Sequence, residues 1–175
     1  MKYILKAALD RQESQDVYRL LSDADREFIP PLSARTDTTQ QQLSPADSRP
    51  DGVSAYYTQM MTQSFILAVN KGRVAGFLSF IPDHALTVGG ETLICDYVST
   101  IVVEPDLRNR GITRNMYRTL FEQRSSKRYA TRTWSTNYAH IHLLGKLGFR
   151  LAETLTDDRG PGIDTVYYVK EDGQQ

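Results

Sequence analysis

The segment Ile101-Val102-Val103-Glu104-Pro105-Asp106-Leu107-Arg108-Asn109-Arg110-Gly111-Ile112-Thr113-Arg114 constrains this chain more than any other. A β-branched apolar run ends at Glu104-Pro105. A short basic turn follows, and then an amphipathic stretch over Ile112–Arg124. Strand, basic turn and helix form the geometry that holds a phosphate. The first amides of a helix have no intrahelical acceptor and lie at the positive end of its dipole. An anion placed there meets N–H groups directly. Gly111 has no Cβ, so backbone can approach closely there. Arg108, Arg110 and Arg114 add positive charge.

The rest of the chain sets the context for this turn. Residues 3–8 read as a strand. Residues 11–22 read as a helix, with Val17, Leu20 and Leu21 on one face. Residues 28–50 have loop composition, with Pro30-Pro31, Pro45 and Pro50 around a polar run. A loop this long either covers a substrate or is simply mobile. Residues 53–63 read as a second helix. Strands at 65–69 and 73–81 form a hairpin around Asn70-Lys71-Gly72. A long strand is expected at 92–103, with a bulge in Tyr97-Val98-Ser99-Thr100-Ile101. After the helix that follows Gly111 come a strand at 129–135, a helix at 138–147 ended by Gly148, and strands at 150–156 and 165–169. The fold class is therefore α/β: a mixed, mostly antiparallel sheet flanked by helices, in one domain over residues 1–175. The basic turn falls where open sheets bind ligands, beyond the carboxyl end of a central strand.

The balance of 21 Lys+Arg against 21 Asp+Glu leaves no global field to recruit nucleic acid or an anionic membrane surface. Cys95 is the only cysteine, so neither an internal disulfide nor a cysteine-based zinc site can form, and no metal is expected. That composition fits a reducing, cytoplasmic setting. The N-terminal apolar run is too short for a signal peptide, and none approaches the ~20 residues that span a bilayer. Exposed sheet edges near the last strand are compatible with a homodimer.

Two blocks of residues carry a family resemblance. The first is Val103-Glu104-Pro105 followed by Arg108-Asn109-Arg110-Gly111-Ile112-Thr113. The second is Asn137 followed by Leu147-Gly148-Phe149. With the order of elements along nearly the whole chain, these resemble the GCN5-related N-acetyltransferases. The resemblance implies a GNAT-like acyl-CoA N-acyltransferase fold with acetyl-CoA as cosubstrate and an amine, small molecule or peptide, as acceptor. Ile101, Val102 and Val103 would pair with the pantetheine arm, with the amide of Val102 or Val103 polarising the acetyl carbonyl. Arg108, Asn109, Arg110, Gly111, Ile112, Thr113 and Arg114 would hold the pyrophosphate. Asn137 would bind the pantetheine. The amine would attack directly in a ternary complex, with no acyl-enzyme on Cys95.

Two residues depart from the family pattern. Thr113 stands where a Gly or Ala is usual, and Leu144 stands where relatives often carry the Tyr that protonates the leaving thiolate. A thiolate with a pKa of about 8.5 can leave unassisted, and Tyr138, Tyr167 or Tyr168 could replace the missing acid. For the base, Asp96, Glu104, His142 and a water chain are all open. The loop with Arg26, Arg35 and Arg49 and the segment with Asp157, Asp158, Arg159 and Asp164 would shape the acceptor side. Their mixed charge permits an amine flanked by a carboxylate. Trp134 could wall that side or sit in the core. The alternative to an enzyme is a non-catalytic acyl-CoA-binding or sensing module of the same fold.

Overall fold

The computed structural model describes residues 1–43 and 50–173. Seven strands form one sheet: β1 (Lys2–Lys6), β2 (Ser64–Asn70), β3 (Arg73–Val88), β4 (Glu91–Val103), β5 (Arg128–Trp134), β6 (Arg150–Leu155) and β7 (Thr165–Glu171). Their order is β1-β2-β3-β4-β5-β7-β6. All neighbours are antiparallel except β4 and β5. The helices are α1 (Arg11–Asp23), α2 (Ser54–Met60), α3 (Ile112–Arg124) and α4 (Tyr138–Lys146). The mixed, mostly antiparallel sheet flanked by helices is thus the expected fold class. No described helix is long and apolar enough to cross a membrane.

The two faces of the sheet follow the alternation of side chains along its strands. Phe65, Leu67, Val74, Phe77 and Val102 face α1 and α2. Ile66, Ala68, Leu78, Phe80, Val98 and Val103 face Ile112, Met116, Tyr117 and Leu120 of α3. Helix α1 begins with a reciprocal capping box between Asp10 and Glu13. It buries Val17, Leu20 and Leu21 almost completely, each worth about 1.5–3 kcal/mol of transfer free energy.

Strand β3 runs seven residues beyond the predicted 73–81. The sequence breaks at Pro82-Asp83, where Asp83 takes a positive φ of 50°. The ladder to β4 shifts register there and then resumes. Asp96 makes this interruption tolerable: its carboxylate accepts from the Asp83 amide at 3.1 Å. The segment predicted as loop contains one short 3-10 turn at Leu32–Ala34, just after another at Asp25–Glu27. Its residues 44–49, including Pro45 and Arg49, lie outside the described residues.

One irregularity positions the site. Across β3 and β4, Ser79 pairs with Thr100 but Phe80 pairs with Val98, leaving Ser99 as the extra residue of a bulge. A bulge bends its strand and increases its twist. Strand β4 pairs with β5 only through Asp96–Tyr129, Tyr97–Ala130 and Val98–Thr131. At that end the Thr131 hydroxyl donates to the Val98 carbonyl at 2.9 Å. From Ser99 onward the strands part, and a gap opens between the ends of β4 and β5.

Candidate active site

The gap is the floor of a cleft of about 690 Å³. Residues 99–103 form one wall, and residues 131–134 with α4 form the other. The Gly111 turn closes one end. Phe28, Arg35, Thr38 and Arg159 border the cleft as well.

The direction of the β4 peptide groups follows from its bonds to β3. The Glu104 amide donates to Ala75 O at 2.9 Å. A Cβ built on Gly76 would meet the Val102 carbonyl oxygen at 3.0 Å, so that carbonyl also points at β3. Peptide groups in a strand alternate in direction. Ile101 and Val103 therefore turn theirs toward the gap, where β5 no longer pairs with them. Of the two amides expected to polarise the acetyl carbonyl, Val102 or Val103, the one turned to the cleft is that of Val103.

Helix α3 begins at the gap. Gly111 is its N-cap, in the left-handed region at φ 75°, and no described side chain caps the helix. The amides of Ile112, Thr113 and Arg114 thus lack intrahelical acceptors. Asn109 also has a positive φ, 60°. Arg108, Asn109, Gly111, Ile112, Thr113 and Arg114 all line the cleft, whereas Arg110 does not. Arg108 is already engaged, donating from Nε to Val103 O at 3.0 Å and from a terminal nitrogen to Glu27 at 2.9 Å. Asn137 precedes α4, lines the cleft, and donates from its side-chain amide to Thr133 Oγ1 at 3.0 Å.

The structure separates the four candidate catalytic residues. Asp96 is fully buried away from the cleft, where Arg124 Nε holds its carboxylate at 2.9 Å. The strand face expected to present it belongs to the interior. Glu104 lies outside the cleft and pairs with Arg19 at 3.3 Å. Tyr138 is 72% exposed and also lies outside it. Of the four, His142 alone lines the cleft, on the stripe of α4 that carries Ala139, His142, Leu143 and Lys146. Leu144 points the other way, into the core with Tyr117 and Phe149. Of the alternative tyrosines, Tyr167 is buried and its hydroxyl accepts from Arg132, and Tyr168 packs against the α3 side of the sheet.

Several cleft residues carry no sequence signal. His140 borders the cleft and pairs through Nε2 with the buried Tyr117 hydroxyl at 3.1 Å. Burial pushes its pKa down to about 4, so it is neutral at neutral pH. A polar chain runs inward from the bulge. Ser99 Oγ donates to Gln63 Oε1 at 2.6 Å, Gln63 Nε2 donates to Thr38 Oγ1 at 2.7 Å, and the Tyr56 hydroxyl meets Thr100 Oγ1 at 2.7 Å. Trp134 does line the cleft, with Phe28 beside it at 5.7 Å between ring centroids. Cys95 is buried, with its thiol pushed up to about 12 by burial and then by Asp96.

Comparison with known proteins settles the family. The model of the acetyltransferase (GNAT) family matches residues 15–149. The chain belongs to the GNAT family. Among solved structures, this GNAT chain is similar to a proposed acetyltransferase of the same family from Desulfovibrio desulfuricans. They share 14% identity with a TM-score of 0.68, over 97% of this chain and 99% of that one. It is also similar to a ribosomal-protein-alanine N-acetyltransferase from Brucella melitensis, with 16% identity and a TM-score of 0.66 over 96% and 99%. A proposed streptothricin acetyltransferase from Bacillus anthracis, solved with acetyl coenzyme A, matches at 14% identity and a TM-score of 0.52 over 62% of each chain. At these identities the likeness is one of fold. No curated protein matches the sequence.

Proposed function

We propose that this chain is an N-acetyltransferase that moves the acetyl group of acetyl-CoA to a primary amine by direct attack, with both substrates in the cleft. One observation carries this reading: the uncapped start of α3 at Gly111 and the unpaired edge of β4 at Ile101 and Val103 line one continuous cleft. Acetyl-CoA, when bound, supplies an activated thioester and an anionic diphosphate. The free amides of residues 112–114, with Arg114 beside them, suit the diphosphate. The peptide groups of Ile101 and the side chain of Asn137 suit an extended polar arm. The Val103 N–H then serves as the donor that stabilises negative charge on a carbonyl oxygen.

The acid–base groups follow from placement. The buried Cys95 thiol is no nucleophile, which favours direct attack over an acyl-enzyme. Of the four candidates, His142 is the one whose side chain stands at the cleft wall. The hydrogen bonds from Ser99 to Gln63 and from Gln63 to Thr38 hold the bulge and the Thr38 segment in place beside the cleft.

A second reading, a non-catalytic acyl-CoA-binding or sensing module, draws on the burial of Leu144 and on the positions of Asp96, Glu104 and Tyr138 outside the cleft. Thiol release from acetyl-CoA against a panel of amines separates the two. Release on one amine class supports the transferase. Saturable binding of acetyl-CoA without release on any amine supports the module.

A further inference from the structure

Three arginines border the cleft where β4 and β5 have parted. Arg132 is on β5, one residue past the last β4–β5 pair at Thr131. Arg35 comes from the proline-rich segment and Arg159 from the loop between β6 and β7. Arg35 and Arg159 are 5% and 3% exposed, yet both line the cleft.

Buried charge is costly unless it is paired. Among the described residues, no carboxylate forms an ion pair with any of the three. Their partners are neutral. Arg35 donates from Nε and a terminal nitrogen to Pro30 O at 3.1 and 2.8 Å. Arg159 donates to Thr165 Oγ1 at 2.9 Å and to Ile29 O at 2.7 Å. Arg132 makes only long bonds, to the Tyr167 hydroxyl at 3.3 Å and Thr38 O at 3.5 Å. Each guanidinium has donors left over. Asp158, whose charge is felt at Arg159, accepts from the Thr165 hydroxyl instead.

The cluster is also under mutual repulsion. Arg159 is pushed down to about 9, first by burial and then by Arg35 and Arg132. Arg35 is lowered by burial, with Arg132 adding to the effect and the Asp25 carboxylate, which is bonded to Ser33, opposing it. Arg132 moves up: burial opposes the shift, but the phenolates of Tyr97 and Tyr167 outweigh it. Burial keeps the Tyr97 hydroxyl protonated, and the three guanidinium charges share this end of the cleft.

We infer that Arg35, Arg132 and Arg159 form a carboxylate-binding subsite, and that the acceptor is an amine bearing a carboxylate a few bonds from its nitrogen, of the amino-acid class. This inference rests on the transferase reading and names its substrate. Guanidinium forks match carboxylates in bidentate geometry, and an anion here would supply the missing counter-charge. The aromatic faces of Phe28 and Trp134, under Arg35 at 5.7 Å and Arg159 at 5.9 Å, complete the walls. The same charges disfavour polyamines. They also favour the neutral amine over its ammonium, which assists a cleft with few bases.

The test compares thiol release for proteinogenic L-amino acids with that for their carboxamides and for spermidine, on the wild type and on Arg132→Met. Arg132 is chosen because its bonds to the fold are the longest of the three. The expected result is a preference of roughly a hundredfold in kcat/KM for the acid over its amide. Arg132→Met should cut that preference at least about tenfold, mainly through KM, with acetyl-CoA affinity unchanged. Arg132→Lys, which keeps the charge but not the fork, should fall between. If amides or spermidine serve as well as acids on the wild type, the inference is overturned without reference to any variant. It is also overturned if acetyl-CoA binds but no amino acid is acetylated. Failure to bind acetyl-CoA would overturn the transferase reading beneath it.

Discussion

Arg108 Nε donates to the carbonyl oxygen of Val103 at 3.0 Å, tying the turn that begins α3 to the last residue of β4. The same guanidinium reaches Glu27 at 2.9 Å. Arg108 thus fastens three segments: the open strand edge, the turn before α3 and the segment after α1. With the Val103 carbonyl occupied, its N–H is the group left facing the gap.

Replacing Arg108 should disturb the cofactor end without unfolding the protein. Arg108→Ala is expected to weaken acetyl-CoA binding roughly tenfold and cost about 1 kcal/mol of stability. Arg108→Lys should rescue little, because a single ammonium cannot reproduce the two-sided fork. Calorimetric titration and urea unfolding check the two effects.

Gly111 is required for its backbone rather than for space. A Cβ placed there would meet nothing within 4 Å, yet φ is 75°. Gly111→Val should destabilise by about 1–2 kcal/mol and abolish detectable acetyl-CoA binding, because the turn must relax to a negative φ. Retained binding in a folded Gly111→Val protein would count against the site.

Asp96 supports the fold from a buried position outside the cleft. It satisfies both the Asp83 amide and Arg124 from a fully buried position. Asp96→Ala should cost about 3–5 kcal/mol while turnover per folded molecule changes less than about twofold. Urea unfolding and kcat at saturating substrate measure these. A large kcat loss in fully folded protein would restore Asp96 as a candidate base.

His140 makes stability depend on pH. Its folded pKa, held to about 4 by burial, lies below the ordinary value of about 6.5. Between these values the unfolded chain binds the proton and the native chain does not. Stability therefore falls as pH drops from about 6.5 toward 4, by an amount on the order of 1–3 kcal/mol. His140→Gln should flatten that part of the profile, as followed by thermal unfolding across the range.

The sequence made the elements legible where pattern and punctuation agree. Helix α3 is bounded as expected because Gly111 precedes an unbroken amphipathic run, and the turn at Lys71-Gly72 carries the positive φ angles its residues tolerate. The bulge at Ser99 falls within the predicted window, since apolar periodicity changes phase there. The extension of β3 is hidden by Pro82-Asp83, which reads locally as a stop. Its continuation depends on Asp96, a tertiary partner. The end of the cleft proposed for the cofactor comes largely from one contiguous segment and is therefore visible. The end proposed for the acceptor gathers Arg35, Arg132 and Arg159 from three distant segments, a convergence that no local spacing announces. Alternation along β4 gives the two faces of the strand without saying which one holds Asp96 away from the gap, and Glu104, just past the strand's end, is drawn to Arg19 of α1.

The Gly111 turn and the free edge of β4 should bind acetyl-CoA together, and the whole account depends on it. Calorimetric titration of the purified chain with acetyl-CoA tests it most directly. Saturable one-to-one binding with a Kd in the range of about 1–100 μM is the expected result. Absence of binding at millimolar acetyl-CoA, in protein shown to be folded, would contradict it.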